Sequence, residues 1–298
     1  MPTSRLLTQG EYTFRIEGPA VDAAGNLFVM NLGTDGVIGK LSPGATKSVP
    51  FATLPDGGIG SGARFDREGR MYVADFNKHR VHVFEPGQTQ PHVYFEPHQS
   101  NQPDGRFNQP NDLAIAMDGT IYASDPKRSD GTGRVWRITR GPDGKARGQV
   151  MSSDQPMGVT NGIELSPDEK TLYVGESTIG STPARLLAYR VQDGKLVERR
   201  VLKTFDKFDL DGMRTDIDGK LFAARTDAGR VAVFSPDGTP LPEIPLLKKG
   251  PTNLAFGGPD GKTVFVTQSD GRFIEAFLVD RPGREFCMLR SNGSCSTG

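Results

Sequence analysis

Short apolar runs of alternating character recur along the chain, each cut by a glycine- or proline-containing turn before a helical period can develop. In "EGPAVDAAGNLFVMN" a strand around Ala20 and Val21 meets a Gly25-Asn26 turn and returns as Leu27-Phe28-Val29. The same unit occurs six times. Its landmarks are a residue at the strand entrance (Glu17, Ser61, Asn111, Asn161, Asp211 and Asn253) and an aromatic further on (Phe28, Tyr72, Tyr122, Tyr173, Phe222 and Phe265). The offset is 11 residues in four copies and 12 in the two with longer turns, "SPDEKT" and "GPDGKT". A third alternating strand follows, opened by arginine in four copies (Arg80, Arg134, Arg185 and Arg230), and most copies add a fourth, as in "HVYFE" and "RRVLKTF".

Six four-stranded units spaced 42 to 50 residues apart predict an all-β fold, a six-bladed β-propeller with a central channel. Helical solenoids of similar period are excluded because turn signals interrupt every window. The segment "SRLLT" resembles the fourth strand "RRVLKT", so the N-terminus is expected to supply the outermost strand of the last blade and close the ring; the tail from Arg284 to Arg290 competes for that place. No composition shift or low-complexity block divides the 298 residues, which reads as a single domain over 1–298.

Composition narrows the partners. Lysine plus arginine and aspartate plus glutamate both number 36, and no basic stripe appears, which argues against nucleic acid and anionic membrane. No apolar h-region opens the chain and no run approaches a membrane span, so a cytoplasmic protein is expected, a monomer or weak homo-oligomer. Cys287 and Cys295 both fall in the tail and read as free thiols of a reducing compartment, with a local disulfide as the alternative.

The innermost strand of a propeller blade lines the channel, so the six entrance residues are predicted to face one axis. Any one of them alone is explained as a turn residue capping its own backbone. Together they bring two carboxylates and three amides to one place, an oxygen-only set suited to a hard cation. Glu17 and Asp211 would repel there unless a cation or a proton sits between them. Ser61 and Asn253 are expected to be solvent-facing or supporting groups rather than ligands. The four histidines lack zinc-type spacing and none stands at the axial register, and no G-x-S-x-G elbow or strand-to-helix glycine loop occurs. Trp136 reads as core.

Four segments, "EGPAVDAAGNLFV", "QPNDLAIAMDGTIYASDP", "TNGIELSPDEKTLYVGES" and "DLDGMRTDIDGKLFAAR", resemble the signatures of the senescence-marker-protein/gluconolactonase (regucalcin-like) superfamily, in its order, from Glu17 to about Phe277. The resemblance implies a six-bladed propeller holding one divalent metal ion, calcium foremost, with magnesium, manganese or zinc as alternatives, and hydrolysis of sugar lactones. It implies Glu17, Asn161 and Asp211 as metal ligands, Asn111 as ligand or substrate contact, and Asp125 as a second-shell or substrate-side aspartate. Some animal members carry arginine as a substrate contact where this chain has Gln109, so Gln109 is a candidate substrate contact and the substrate preference of those members does not transfer. Within the polar insert Phe95–Pro110, Arg106 and Asn108 are candidate substrate contacts of a rim or lid; a plain surface loop explains the same composition. The implied reaction opens an aldonolactone, with the metal as Lewis acid, water as nucleophile and Asp211 as general base. Phosphotriester hydrolysis at the same metal and a non-catalytic calcium-binding propeller are the alternatives.

Overall fold

The computed structural model describes residues 3–97 and 105–290. They form six four-stranded antiparallel sheets, each a blade whose strands run outward in chain order, apart from the closing strand of blade 6. The innermost strands are Tyr12–Val21, Gly60–Phe65, Leu113–Ile115, Thr160–Leu165, Met213–Thr215 and Pro251–Gly257. The expected propeller is therefore present, with the blades in the predicted order.

Ring closure also follows the sequence. Arg5–Leu6 pairs antiparallel with Phe273–Leu278, so the N-terminal residues form the outermost strand of blade 6. Leu7 N–H donates to the Ile274 carbonyl at 2.9 Å, and Ile274 N–H donates to Thr8 Oγ1 at 3.1 Å. The competing tail takes another form: Arg284–Met288 is a short helix, α1. Cys287 on α1 is held in a disulfide, which corrects the reading of two free thiols; Cys295 lies outside the described residues. That reading rested on the presumed compartment and not on any local geometry.

The apolar core is divided among the six blade interfaces. Each of six buried clusters draws on two adjacent blades. Phe28, Met30 and Ile38 of blade 1 meet Ala63, Phe65 and Val73 of blade 2. The last cluster joins Ala255 and Ile274 of blade 6 to Ile16 and Val29 of blade 1. Alternation supplies these faces, since residues two apart on a strand reach the same neighbour. Fully burying such a side chain contributes about 1.5–3 kcal/mol. Trp136 is buried as expected, packed on Phe95 and Phe107.

The inner strands share one irregularity. Across Gly60–Ala63, Thr160–Ile163, Pro251–Leu254 and Glu17–Ala20, three residues advance on the inner strand while its partner advances two. In blades 3 and 5 the same bulge appears as a pair of hydrogen bonds: Asn111 N–H donates to the Ser124 carbonyl while Ser124 N–H donates to Asp112, and Asp211 and Gly212 bracket Ala224 likewise. A bulge at this point re-aims the entrance residue and sends the strand off with altered phase.

Candidate active site at the channel mouth

The bulge sets the entrance residues, and glycine lets neighbouring blades close on them. A Cβ on Gly162 would collide with the backbone carbonyl of Asp211 in the next blade, and one on Gly18, at φ +54°, with the carbonyl of Ser61. Close approach draws the six entrances into a small ring. Glu17, Ser61, Asn111, Asn161 and Asp211 line one cavity of about 380 Å³, together with Gln109, Arg128, Arg15 and the aromatic rings of Phe14 and Phe76. Asn253 is buried behind them, and its Nδ2 donates to Glu17 Oε2 at 3.3 Å. Ser61 is buried at the cavity wall instead of facing solvent.

The polar atoms of this ring are unevenly satisfied. Asn161 Nδ2 donates to Ser177 Oγ at 2.9 Å and to the Leu210 carbonyl at 3.3 Å, which fixes the amide. Its Oδ1 is buried with no hydrogen-bond partner. An orphaned carbonyl oxygen costs about 1–3 kcal/mol unless something outside the protein meets it. Asp211 Oδ2 accepts from Thr226 Oγ1 at 3.3 Å, and Glu17 Oε2 accepts from Gly18 N–H at 2.8 Å.

Burial pushes the Glu17 carboxyl from 4.5 to about 7, with the charge of Asp112 adding to the rise and the Gly18 and Asn253 donors opposing it. Asp211 is raised well above its ordinary value, by burial first and then by the charges of Glu17 and Asp209; Arg128 opposes the shift. Two buried acids, one of them raised further by the charge of the other, are what a cation would relieve. Among the described residues no three His, Cys, Asp or Glu side chains gather as a metal site. The donor set of the cavity is therefore two carboxylates plus amide oxygens, and the bare Asn161 Oδ1 fits that set.

Outside the ring, the predicted residues separate. Gln109 lines the cavity; Arg106 is exposed and does not. Asn108 turns its side chain to Asp125 at 3.4 Å, and residues 98–104 of the insert lie outside the described residues. Asp125 is fully buried and does not line the cavity. It accepts from the Asn108 and Gln109 N–H groups at 2.8 Å and from Arg134 and Trp136. Asp75 and Glu176 are its counterparts in blades 2 and 4: each accepts a backbone N–H from the loop entering the inner strand, Ile59 or Gly158. Each also faces the arginine that opens the third strand, Arg80 or Arg185. Asp125 thus anchors the loop that carries Asn108 and Gln109, at a position the repeat shares with Asp75 and Glu176.

Arg128 and Phe76 were not singled out by the sequence, because they sit on hairpins between second and third strands, where the repeat gives no register signal.

A six-bladed propeller with this acid-and-amide mouth belongs to the SMP-30/gluconolactonase/LRE-like family, whose model matches residues 46–270. The chain is 28% identical over 285 residues to a gluconolactonase of Zymomonas mobilis, covering 85% of this chain and 76% of that protein. It is 36% identical over 170 residues to a 6-deoxy-6-sulfogluconolactonase of Pseudomonas putida, covering 55% of this chain and 53%, about half, of that protein. A solved gluconolactonase of Xanthomonas campestris superposes with a TM-score of 0.76 at 25% identity, covering 94% of this chain and 90% of its own. Among the described residues no helix is long and apolar enough to cross a membrane.

Proposed function

We propose that the protein is a lactone hydrolase that opens sugar lactones at the channel mouth with the help of a divalent cation. Its family and its gluconolactonase relatives support lactone hydrolysis. The observation that carries the cation is the bare Asn161 Oδ1 in one cavity with two carboxylates that burial raises. Glu17, Asn161 and Asp211 would hold the ion, with Asn111 beside them, and an all-oxygen set carrying two charges suits calcium ahead of softer metals. Once bound, the ion would supply Lewis-acid polarisation of the lactone carbonyl.

The remaining work falls to the chain. Asp211 accepts the proton of the attacking water as that water adds to the carbonyl carbon. The ring C–O ester bond then breaks, and the proton ends on the departing alkoxide, leaving a hydroxy acid. Asn161 is clamped by Ser177 and Leu210 and presents its oxygen without reorganisation. Asn111 and Gln109 orient the sugar hydroxyls from the wall, and Phe14 and Phe76 give its carbon face an apolar side.

A pH-stat assay over a panel of aldonolactones, with and without chelator, tests this. The reading requires hydrolysis that chelation abolishes and added calcium restores. Cation binding without turnover of any lactone would instead make the propeller a non-catalytic calcium binder.

A further inference from the structure

The inner strands have a second set of equivalent positions, each paired with the landmark aromatic of its blade: Ala20, Arg64, Ala114, Glu164, Arg214 and Ala255. The extra residue of each bulge brings positions three apart to the same side of the strand. Arg64 and Arg214 are fully buried there, and α1 lies against them. Glu285 of α1 sets one oxygen 2.5 Å from Arg64 Nε and the other 3.4 Å from Arg214 Nε. The approach is tight: a Cβ on Gly283, the residue preceding α1, would collide with Phe256 of the blade-6 inner strand.

Both arginines hold the floor of the candidate site. Arg214 Nη1 donates to Asn253 Oδ1 at 3.0 Å, and Asn253 Nδ2 in turn donates to Glu17 Oε2 at 3.3 Å. Arg64 holds Asp112 by two hydrogen bonds, at 2.9 and 3.2 Å, and Asp112 is the chain neighbour of Asn111. Only two side chains separate Glu285 from Glu17. Asn253 could present either end of its amide to Glu17; the Arg214 guanidinium takes its oxygen, so its NH2 faces the carboxylate.

We propose that Glu285, on the C-terminal helix, is a positioning residue for the cation site at the opposite end of the channel, acting through Arg214 and Asn253 on Glu17 and through Arg64 and Asp112 on Asn111. The proposal rests on the cation-dependent reading above. Removing the Glu285 charge leaves two adjacent buried guanidiniums with one fewer counter-charge, which loosens Arg214 from Asn253. It also makes the channel more positive. Both effects weaken cation binding.

The test is calcium titration, with manganese in parallel, of chelator-stripped full-length protein by calorimetry, alongside thermal unfolding. Glu285→Gln is expected to bind the ion about tenfold more weakly, in the range usual for groups supporting metal ligands. Asn253→Ala is expected to weaken binding too, and the double variant to bind no worse than the weaker single one, since both cut the same chain of contacts. Glu285→Asp, which keeps the charge on a shorter arm, should fall between and serves where Glu285→Gln does not purify folded. A Glu285→Gln or Glu285→Asp protein with a lowered Tm and the wild-type Kd would overturn the proposal, because α1 would then be a stopper only. Wild-type protein binding neither ion would overturn the cation reading itself, and this proposal with it.

Discussion

The two rings of the channel bury charge in opposite ways. Desolvation alone does not distinguish them, since it pushes Glu17 at the mouth and Glu164 at the back each to about 7. Their neighbours differ. Glu164 is opposed by Arg64, Arg284 and Arg214, and with Asp112, Glu285 and the partly exposed Glu169 every acid of the back cluster faces an arginine. Asp211 at the mouth is raised by the charges of Glu17, Asp209 and Asp112 and opposed by the exposed Arg128, and Glu17 beside it is opposed by Arg214 only as the last of its causes. Buried acids that each pair with an arginine read as architecture, and weakly opposed acids with an orphaned oxygen beside them read as a place for a ligand.

That contrast can be broken from either side. The largest effect is expected at the back: Arg64→Ala should cost about 3–5 kcal/mol of stability by stranding Asp112, measured by chemical denaturation. A cost below 1 kcal/mol would remove the claim that the back ring is structural. At the mouth, Asp211→Ala should stay folded and lose about a hundredfold or more of lactonase kcat/KM. Near-normal turnover would end its role as base.

The third test uses pH. In cation-free protein Glu17 ionises near 7 when folded and near 4.5 when unfolded. Stability from this group is therefore full below about 4.5 and lost as pH rises to about 7. Calcium must displace that proton, so the rise in Tm that calcium produces should grow across the same window. Measuring the difference cancels Glu164, which calcium does not touch. A calcium effect independent of pH would contradict proton–cation competition at Glu17. The smallest effect is expected at Asp125→Asn: a few-fold rise in KM through a loosened Gln109 loop, with kcat little changed.

Much of this was legible in the chain. The aromatic register from Phe28 to Phe265 fixed the blade count, and the entrance residues marked the mouth, because repetition stacks equivalent positions. The N-terminal closure was readable because "SRLLT" copies an outer strand. The back ring was not, since only three of its six positions are charged and its partner Glu285 stands outside every repeat. The bonds Asp125 makes to the Asn108 and Gln109 backbone were not legible either, because its motif shows nothing of the loop that folds back onto it. The bulge was also hidden, because one extra residue in a three-residue advance leaves no hydrophobic signature.

The closure of blade 6 has a consequence for synthesis. Arg5 finds its partner Ala276 only after some 270 further residues have been made. The ring thus cannot seal until nearly the whole chain has emerged, and the opening segment must wait unpaired while five blades assemble ahead of it.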